Sequence, residues 1–488
     1  MQCLTAVLTC GSLTEFFYVL QGVKQGAILS MLLYICFINE LMKEINGCNI
    51  GCNVSGLCCP CVGFADDLAV MSLHAPCLQA IINYAWQYSC KWHFSFNVSK
   101  CAVMKFGKPA DKHTFTMGNK ILDVVSNYTH VGVVMSDNES LSQKEICRNI
   151  DKAKSALYSL VGCSLYKTAL SPCSLTKLYW SVSVPKMTSC AEVRYFSDQE
   201  IKEYEKTHRQ MAKDIQNLPA NVSNTAAVSL LGWRDISSHI DFMKLMFLYR
   251  LLALNPTNLY RRVFLRRFYE IMALGYFSTL SPTAQIIKVC QKYNIIDKVS
   301  MYIQQGIVTS KIEWKRWISG IIDDSNHIKW RFDLRLSKKL SILRVIANTI
   351  TPSVWWKLVQ TMPKLKGPCI TTVRLLCGTS SLRVHCDTHI PRETRLCTLC
   401  NAEEVEDTYY FLMTCDVFSC YRQEMLTSIS QGVTTNTMNE LCQLSDLMLF
   451  YIFMGLEYPI CTDDLFTIRS ICCITIHRMY SLRLKLET

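Results

Sequence analysis

The sequence lacks an apolar run long enough to cross a membrane. Its longest such runs, of which residues 447–456 are an example, fall well short of the roughly 20 residues that a transmembrane helix needs. The first ten residues contain neither lysine nor arginine, whereas a secretory signal peptide begins with a positively charged region. These absences predict a soluble chain that is not exported, and we expect a nuclear or cytoplasmic location.

Charged residues are also scarce, at 18% of the chain, whereas 50% of the residues are hydrophobic. This balance excludes a disordered tail, and 488 residues are enough for about three domains of roughly 150 residues each. Lys+Arg is 51 and Asp+Glu is 39, so the net charge is 51 − 39 = +12. Such an excess permits a polyanionic partner, although an ordinary solvated basic surface explains it equally well.

Cysteine is abundant, with 27 residues in the chain. Because no export signal is present, we expect a reducing compartment, where these thiols serve mostly as small buried apolar side chains. The sequence therefore does not predict a disulfide framework.

Apolar periodicity predicts an α+β region at the start of the chain. Helical spacing indicates helices over 25–45, with Ile28, Leu32, Ile35, Met42 and Ile45 as its apolar positions, and over 77–90. Alternation of apolar and polar residues predicts strands over 91–97 and 127–135. Two short strands are expected within 57–72, on either side of an acidic turn.

After about residue 150 strand signals become sparse, and long helical patterns predict a mostly helical region to about residue 380. Residues 428–439 are polar and are the best candidate for a linker. The segment 441–488 is predicted to form two or three helices. The five tryptophans at 314, 317, 330, 355 and 356 are interpreted as core side chains rather than platforms for bases.

The acidic turn at residues 64–67, Phe-Ala-Asp-Asp, is the most informative tetrapeptide. Neighbouring carboxylates at the tip of an apolar hairpin are costly unless a cation neutralises them. Mg²⁺ is held by one or two carboxylates together with substrate phosphates, as two-metal phosphoryl transfer requires. The alternative is an ordinary β-turn, in which aspartate is common.

Three further motifs accompany the turn in a fixed order. Residues 22–30 read Gly-Val-Lys-Gln-Gly-Ala-Ile-Leu-Ser, residues 94–100 read Phe-Ser-Phe-Asn-Val-Ser-Lys, and residues 131–133 read Val-Gly-Val. Together with the acidic turn, they resemble the reverse transcriptase of non-LTR (LINE-type) retroelements. The resemblance covers about residues 15–135 closely and the rest of the chain loosely.

The resemblance implies a role for each motif. Gly22, Gln25 and Gly26 would contact template and nucleotide, Asp66 would bind Mg²⁺ with Asp67 as a weaker second carboxylate, and Lys100 would meet the leaving pyrophosphate. Val131 and Gly132 would lie in the hairpin that grips the primer. Two of these residues have a second interpretation that needs no function. Gln25 could be a solvated residue at a helix start, and Lys100 could be a solvated lysine in a turn.

The resemblance also implies a domain order, in an α+β fold whose partial polymerase palm precedes a mostly helical remainder. We expect a partial palm over 1–140, a helical thumb-like region over 141–280, further helices over 281–380, a cysteine-containing segment over 381–425 and C-terminal helices over 441–488.

The sequence departs from the family pattern at several places. Phe64 stands where tyrosine is commoner, and Met31 stands where proline is usual. The family palm carries another aspartate on a strand upstream of the Gln-Gly motif, but the 24 residues before Gln25 contain one acid, Glu15, and no aspartate. We therefore expect an N-terminally truncated palm whose metal site has one side only.

Residues 260–269 interleave bases and aromatics, a pattern suited to phosphate contact with stacking. Arg261, Arg262, Arg266 and Arg267 are the candidate nucleic-acid contacts, although an amphipathic helix with solvated arginines gives the same pattern.

A cysteine motif near the C-terminus resembles the knuckle of these retroelement proteins. Cys397 and Cys400 form Cys-x-x-Cys, and Cys415 follows, but Tyr410 occupies the position of the expected histidine. Structural zinc takes four ligands, so the motif is incomplete unless a residue such as His385, Cys386, His389 or Cys420 supplies the fourth. A decayed site with free thiols is the alternative.

Together these motifs imply a protein related to RNA-directed DNA polymerases. Its ancestral reaction would be RNA-templated DNA synthesis with Mg²⁺, with an RNA template and a DNA primer as partners. We expect the chain alone to be inactive. The alternatives are a non-catalytic nucleic-acid-binding remnant and the product of a decayed element without function.

Overall fold

The computed structural model describes residues 3–19, 22, 26–107, 113–137, 140–160, 170–275, 281–386 and 389–487. Contacts divide the chain into two units. The first comprises Met1–Ser142 and Pro256–Ala273, and the second comprises Gln143–Asn255 and Leu274–Thr488. The first mixes strands and helices and the second is dominated by helices, so the chain as a whole is consistent with the predicted α+β class.

The strands of the first unit pair two by two, mostly as antiparallel hairpins of neighbouring strands. The pairs are β1 (Cys3–Thr5) with β4 (Phe17–Val19), β2 (Leu8–Thr9) with β3 (Ser12–Leu13), β5 (Cys52–Val54) with β6 (Leu57–Cys59), β7 (Cys61–Phe64) with β8 (Asp67–Val70), β9 (Ala102–Val103) in parallel with β12 (Asp123–Val124), β10 (Thr116–Met117) with β11 (Lys120–Ile121), and β13 (Asn127–His130) with β14 (Val133–Ser136).

The helices begin within the first unit and dominate the second. In chain order they are α1 (Ser30–Gly47), α2 (Ala75–Lys91), α3 (Ser140–Leu160), α4 (Pro172–Leu178), α5 (Val184–Met187), α6 (Asp198–Gln216), α7 (Asn224–Ser229), α8 (Ile236–Leu252), α9 (Leu259–Leu274), α10 (Pro282–Lys292), α11 (Ile296–Gln305), α12 (Lys311–Leu336), α13 (Ser341–Ile346), α14 (Val354–Thr361), α15 (Lys366–Leu376), α16 (Arg383–Cys386), α17 (Ser419–Gly432), α18 (Thr435–Cys442), α19 (Asp446–Phe453) and α20 (Thr462–Glu487).

Shorter helical turns connect these elements. Turns of 3₁₀ type cover Val98–Lys100, Lys338–Leu340, Pro363–Leu365, Arg392–Thr394 and Asp416–Phe418, and π-helical turns cover Tyr179–Ser183 and Tyr410–Thr414.

Helices α1 and α2 supply the core of the first unit. Ile38, Leu41 and Ile45 of α1 pack with Ile81 and Tyr88 of α2. These α1 positions recur at helical spacing, so that one face of the helix is buried. The predicted apolar face of this helix was only partly right, because Ile28, Leu32 and Ile35 are 97%, 57% and 47% exposed.

The second unit is built around large side chains that are fully buried. Trp314, Trp355 and Trp356 have no exposed surface, which confirms their interpretation as core residues. Each indole N–H has a hydrogen-bond acceptor, as burial of this group requires. Capping boxes at Ser197 and Ser310 fix where α6 and α12 begin, because each serine side chain accepts a hydrogen bond from the backbone N–H three residues later.

Two predicted elements were wrong. No strand forms over 91–97, because α2 continues to Lys91 and His93 takes a left-handed backbone conformation that breaks the alternation. Phe94 and Phe96 are nevertheless packed against the α1–α2 core. The polar segment 428–439 is helical rather than a linker, since its hydroxyls serve as caps: Thr434 begins α18 and also donates to Asp464.

The remaining predicted helices and strands agree in outline with the structure. The helix over 77–90 is α2, the expected strand over 127–135 is the β13–β14 hairpin, and the region from 150 to 380 is helical where it is described. In the described parts of the chain, no helix combines the length and the hydropathy that a membrane span demands.

Candidate functional site

The acidic turn lies at the tip of a β-hairpin, as the sequence predicted. Phe64 of β7 pairs with Asp67 of β8, so Ala65 and Asp66 are the two turn residues. Ala65 has a φ of +52°, a conformation that two-residue hairpin turns require at their first position. Because the turn protrudes, both Asp66 and Asp67 are exposed and open to a ligand.

Helix α1 holds this hairpin through close packing and one hydrogen bond. A Cβ atom on Gly63 would lie 2.9 Å from both the Met42 sulfur and a Leu68 methyl group, so a larger residue would require these side chains to shift. Asn46 Oδ1 accepts a hydrogen bond from the backbone N–H of Cys61 at 3.2 Å. The acidic turn is therefore carried on an anchored hairpin.

Tyr34 is a neighbour of the turn that sequence reasoning missed. Burial, together with the negative charge of Asp66, raises the pKa of Tyr34 above its usual value. Tyr34 precedes Ile38, Leu41 and Ile45 at helical spacing, so the correct core face of α1 would have pointed to it. The phenol therefore stays protonated near the acidic turn.

The glycine-rich segment is only partly described. Gly22 and Gly26 have φ values of +98° and +80°, in the left-handed region that favours glycine, and no other atom occupies the space where their Cβ atoms would be. Gln25 lies outside the described residues. The backbone at both glycines, before the start of α1, is therefore accessible to a ligand. The predicted contact with template and nucleotide requires such access.

Lys100 and the Val131–Gly132 turn are connected through one side chain. Lys100 ends a 3₁₀ turn, and its carbonyl accepts a hydrogen bond from the Tyr128 hydroxyl at 2.9 Å. Tyr128 lies on β13, whose hairpin turn is formed by Val131 and Gly132. The structure therefore brings together the third and fourth motifs of the sequence, and both Lys100 and the turn are exposed.

The carboxylates of Asp66 and Asp67 could bind a divalent cation from one side only. Among the described residues, no third carboxylate, histidine or cysteine clusters with Asp66 and Asp67 at metal-ligand distances. Both acids are hard oxygen donors, which suits Mg²⁺, and substrate phosphates can add further oxygens. The turn can thus hold one face of a metal ion, with water or phosphate on the other.

Helix α9, which carries the basic and aromatic residues, packs within the first unit. Arg266 donates to the Ser55 carbonyl at 3.1 Å, and the Ser55 hydroxyl donates to Glu270 at 2.8 Å. Arg267 pairs with Glu270, and Arg261 is only 6% exposed. Arg262 is exposed. Arg266 therefore helps to hold α9 to the β5–β6 turn, while Arg267 is paired within its own helix.

The three knuckle cysteines come together. The sulfurs of Cys397, Cys400 and Cys415 all lie within 4.8 Å of one another. A short hairpin supports them, since the backbone N–H of Cys397 donates to the Glu404 carbonyl at 2.9 Å and Leu396 bridges to Val405. None of the four residues considered as a fourth ligand joins this group within the described chain.

Tyr410 occupies the fourth position of the cluster. Its hydroxyl lies 2.9 Å from the Cys400 sulfur, at hydrogen-bond distance. Burial, together with this contact, raises the pKa of Tyr410 above its usual value. Burial also raises the pKa of Cys415 to about 12. A phenol is not among the usual ligands of structural zinc, so the set fits this metal less well than three thiolates and a histidine.

An exposed carboxylate pair on a hairpin is a site that can bind a divalent cation for phosphoryl transfer. A comparison with protein families specifies the class of site further. The family model described as reverse transcriptase (RNA-dependent DNA polymerase) matches residues 1–140. That range includes the acidic hairpin, both glycines and the Val131–Gly132 turn. Members of the family act on nucleic acid and generally use a divalent metal ion. Comparison with curated proteins gave no match.

Proposed function

We propose that this chain is a reverse transcriptase-like protein of a non-LTR retroelement. Asp66 and Asp67 would hold Mg²⁺, and Gly22, Gln25 and Gly26 would contact template and nucleotide. The RNA template and DNA primer are its partners, and the location would be nuclear or cytoplasmic, where both are found.

One observation carries the proposal. The match to the family covers the segment in which two exposed aspartates occupy the turn of an anchored hairpin. An ordinary surface turn needs neither the packing of Gly63 against Met42 nor the hydrogen bond from Cys61 to Asn46. These contacts fix the position of the turn relative to α1.

We further propose that these 488 residues do not extend a primer by themselves. Two-metal phosphoryl transfer uses carboxylates on both sides of the ions. Asp66 and Asp67 come from one hairpin, and Glu15, the single acid before Gln25, is exposed. Losing one charge-stabilising group commonly lowers a rate by about 10²–10³. The lack of an opposing metal ligand among the described residues should lower it further.

The second candidate function is non-catalytic nucleic-acid binding. It is favoured by the net charge of +12 together with the one-sided carboxylate site. A basic excess of this size permits binding to a polyanion whether or not the chain completes a metal site.

Binding of a fluorescent RNA–DNA primer–template distinguishes these candidates. We expect binding that weakens steeply with salt in both cases. In the reverse transcriptase-like case, Mg²⁺ with a complementary deoxynucleoside triphosphate tightens the complex, and Asp66→Ala abolishes the gain. Glu15→Ala is the matched control, since it also removes one exposed acid. No gain in the unmodified chain favours the non-catalytic function, and no binding at low salt excludes both.

A further inference from the structure

The C-terminal half of α12, in the second unit, exposes a row of large apolar side chains. Ile328, Phe332 and Leu336 are 70%, 60% and 67% exposed. They are spaced four residues apart, so they form one continuous apolar ridge about 12 Å long on the helix. Single exposed apolar residues are ordinary, whereas a contiguous apolar surface marks an interaction site.

The opposite face of this half of α12 is fixed in the core. Trp330 and Leu334 are buried and belong to the main apolar cluster of the second unit. In a helix of 3.6 residues per turn, these two positions lie about 180° from the centre of the apolar ridge. The helix therefore cannot rotate to bury the ridge without exposing Trp330, and only a binding partner can cover it.

Charged side chains flank the apolar ridge. Arg335 lies beside it, and Lys338 and Lys339 follow the end of α12, whereas Asp324 lies one turn before the ridge begins. All four are exposed, and across the part of the chain that the structure describes they form no ion pair or hydrogen bond. The ridge thus has three free cations at one end and a free carboxylate at the other.

These charges disfavour a second copy of the chain as the partner. An antiparallel pairing of two α12 helices about Phe332 would place Arg335 of one copy opposite Lys329 of the other. A parallel pairing would place Arg335 opposite Arg335 and Asp324 opposite Asp324. Both arrangements bring like charges together, which costs free energy.

The charges also fit an anionic membrane surface only in part. Such a surface attracts lysine and arginine, but its negative potential repels Asp324 at the start of the apolar ridge. A protein surface can instead present a different charge to each end of the ridge. Charge complementarity therefore favours a protein partner that is mainly acidic.

We propose that the apolar ridge binds an amphipathic helix of a partner protein, with acidic residues beside the apolar face of that helix. Its apolar side chains would pack around Phe332, as in other helix-to-helix contacts. Its carboxylates would lie near Arg335, Lys338 and Lys339. The inference goes beyond the proposed function, because the ridge lies outside residues 1–140 and the contact needs no nucleic acid.

The test measures binding of two fluorescent model peptides to the full chain by fluorescence anisotropy. Each peptide is a helix of about five turns with leucines on one face, and the residues beside the leucines are glutamates in one peptide and lysines in the other. The unmodified chain should bind the glutamate peptide about tenfold more tightly than the lysine peptide. The variant Ile328→Gln/Phe332→Gln/Leu336→Gln should bind the glutamate peptide roughly tenfold more weakly, since it loses the central aromatic anchor.

Two further variants separate the ridge from general stickiness. Ile307→Gln/Ile312→Gln removes two apolar side chains that are 69% and 70% exposed elsewhere, and it should keep the affinity of the unmodified chain. The variant Arg335→Glu/Lys338→Glu/Lys339→Glu leaves the apolar ridge in place and should reverse the preference to the lysine peptide. Because all these side chains are exposed, the variants should unfold in urea at the same midpoint as the unmodified chain.

Each outcome decides the inference. Equal binding of the glutamate peptide by the unmodified chain and the ridge variant would overturn it, as would a preference for glutamate that survives the charge reversal. If neither peptide binds, the inference is wrong. A self-association that the ridge variant loses would then identify a second copy as the partner, and binding to phosphatidylserine vesicles that the variant loses would identify a membrane. None of these results bears on the proposed function.

Discussion

Arg483 and Glu406 form a buried, bidentate ion pair. Nε of Arg483 donates to Oε1 of Glu406 and Nη2 donates to Oε2, both at 2.6 Å, and the two side chains are 0% and 1% exposed. Glu487 also accepts from the same guanidinium. Glu406 lies between Cys400 and Cys415, so this pair fixes the cysteine segment to α20 without any metal ion.

Replacing Arg483 with methionine should destabilise the second unit by about 3–5 kcal/mol, because the buried Glu406 carboxylate loses its partner. The midpoint of urea unfolding, followed by tryptophan fluorescence, measures the change. Arg478→Met is the control, since its pair with Glu424 is about half exposed and should be worth less than about 1 kcal/mol. Equal effects of the two substitutions would contradict this role for Arg483.

Tyr410→His should convert the cysteine cluster into a zinc site. The unmodified chain has three thiols and a phenol, and we expect it to contain little zinc after purification, whereas the variant offers three sulfurs and an imidazole. Metal analysis gives the stoichiometry. Tyr409→His places the same imidazole one residue away and should gain nothing. Stoichiometric zinc in the unmodified chain would show that Tyr410 does not prevent binding.

Val131→Asn should stabilise the β13–β14 hairpin. Val131 has a φ of +48° and Gly132 of +79°, and a branched side chain is strained in that region. Asn-Gly is the preferred pair for such a turn, so we expect a gain of about 1 kcal/mol. Slower amide hydrogen exchange across residues 127–136 would report it. Val134→Asn, within β14, should instead speed exchange.

Acid should destabilise the second unit partly through His208. Burial lowers the pKa of His208 to about 4, below the ordinary value of about 6.5. Between these values the unfolded chain binds the proton and the folded chain does not, so stability falls as pH falls. From neutral pH to about pH 5 the expected loss is about 2 kcal/mol.

His208→Gln should lack this part of the pH dependence, although it also loses hydrogen bonds to Tyr179 and the Arg234 carbonyl. Urea unfolding at the two pH values gives the comparison. His93→Gln, at an exposed position, is the control and should keep the dependence of the unmodified chain. An unchanged dependence in the His208 variant would be inconsistent with a buried neutral imidazole.

The acidic hairpin and the cysteine cluster could be predicted because their information is local. The Phe-Ala-Asp-Asp turn needs only two short apolar strands, and the cysteine motif needs only its spacing. The position of Tyr34 near the acidic turn could not be predicted, because it depends on which face of α1 is buried. The apolar residues of α1 occupy more than one face, so periodicity alone was ambiguous.

Charge patterns in the sequence were a poor guide to which cations are free in the structure. The sequence selected the arginines of α9 because they are dense, but contacts with Ser55 and Glu270 occupy two of them. Arg148, Lys152 and Lys186 are exposed and unpaired among the described residues, but they are dispersed along the sequence and so are less conspicuous. Whether a cation is paired is a tertiary property and cannot be read from its neighbours in sequence.

Primer extension tests the proposed function most directly. We propose that the chain is a reverse transcriptase-like protein that binds nucleic acid but supplies metal ligands from one side only. The purified chain is incubated with an RNA template, a DNA primer, deoxynucleoside triphosphates and Mg²⁺ or Mn²⁺, under conditions where it binds the primer–template. We predict no extension, in the unmodified chain or in Asp66→Ala. Extension by the unmodified chain that disappears in Asp66→Ala would contradict the account and show that an opposing ligand is present.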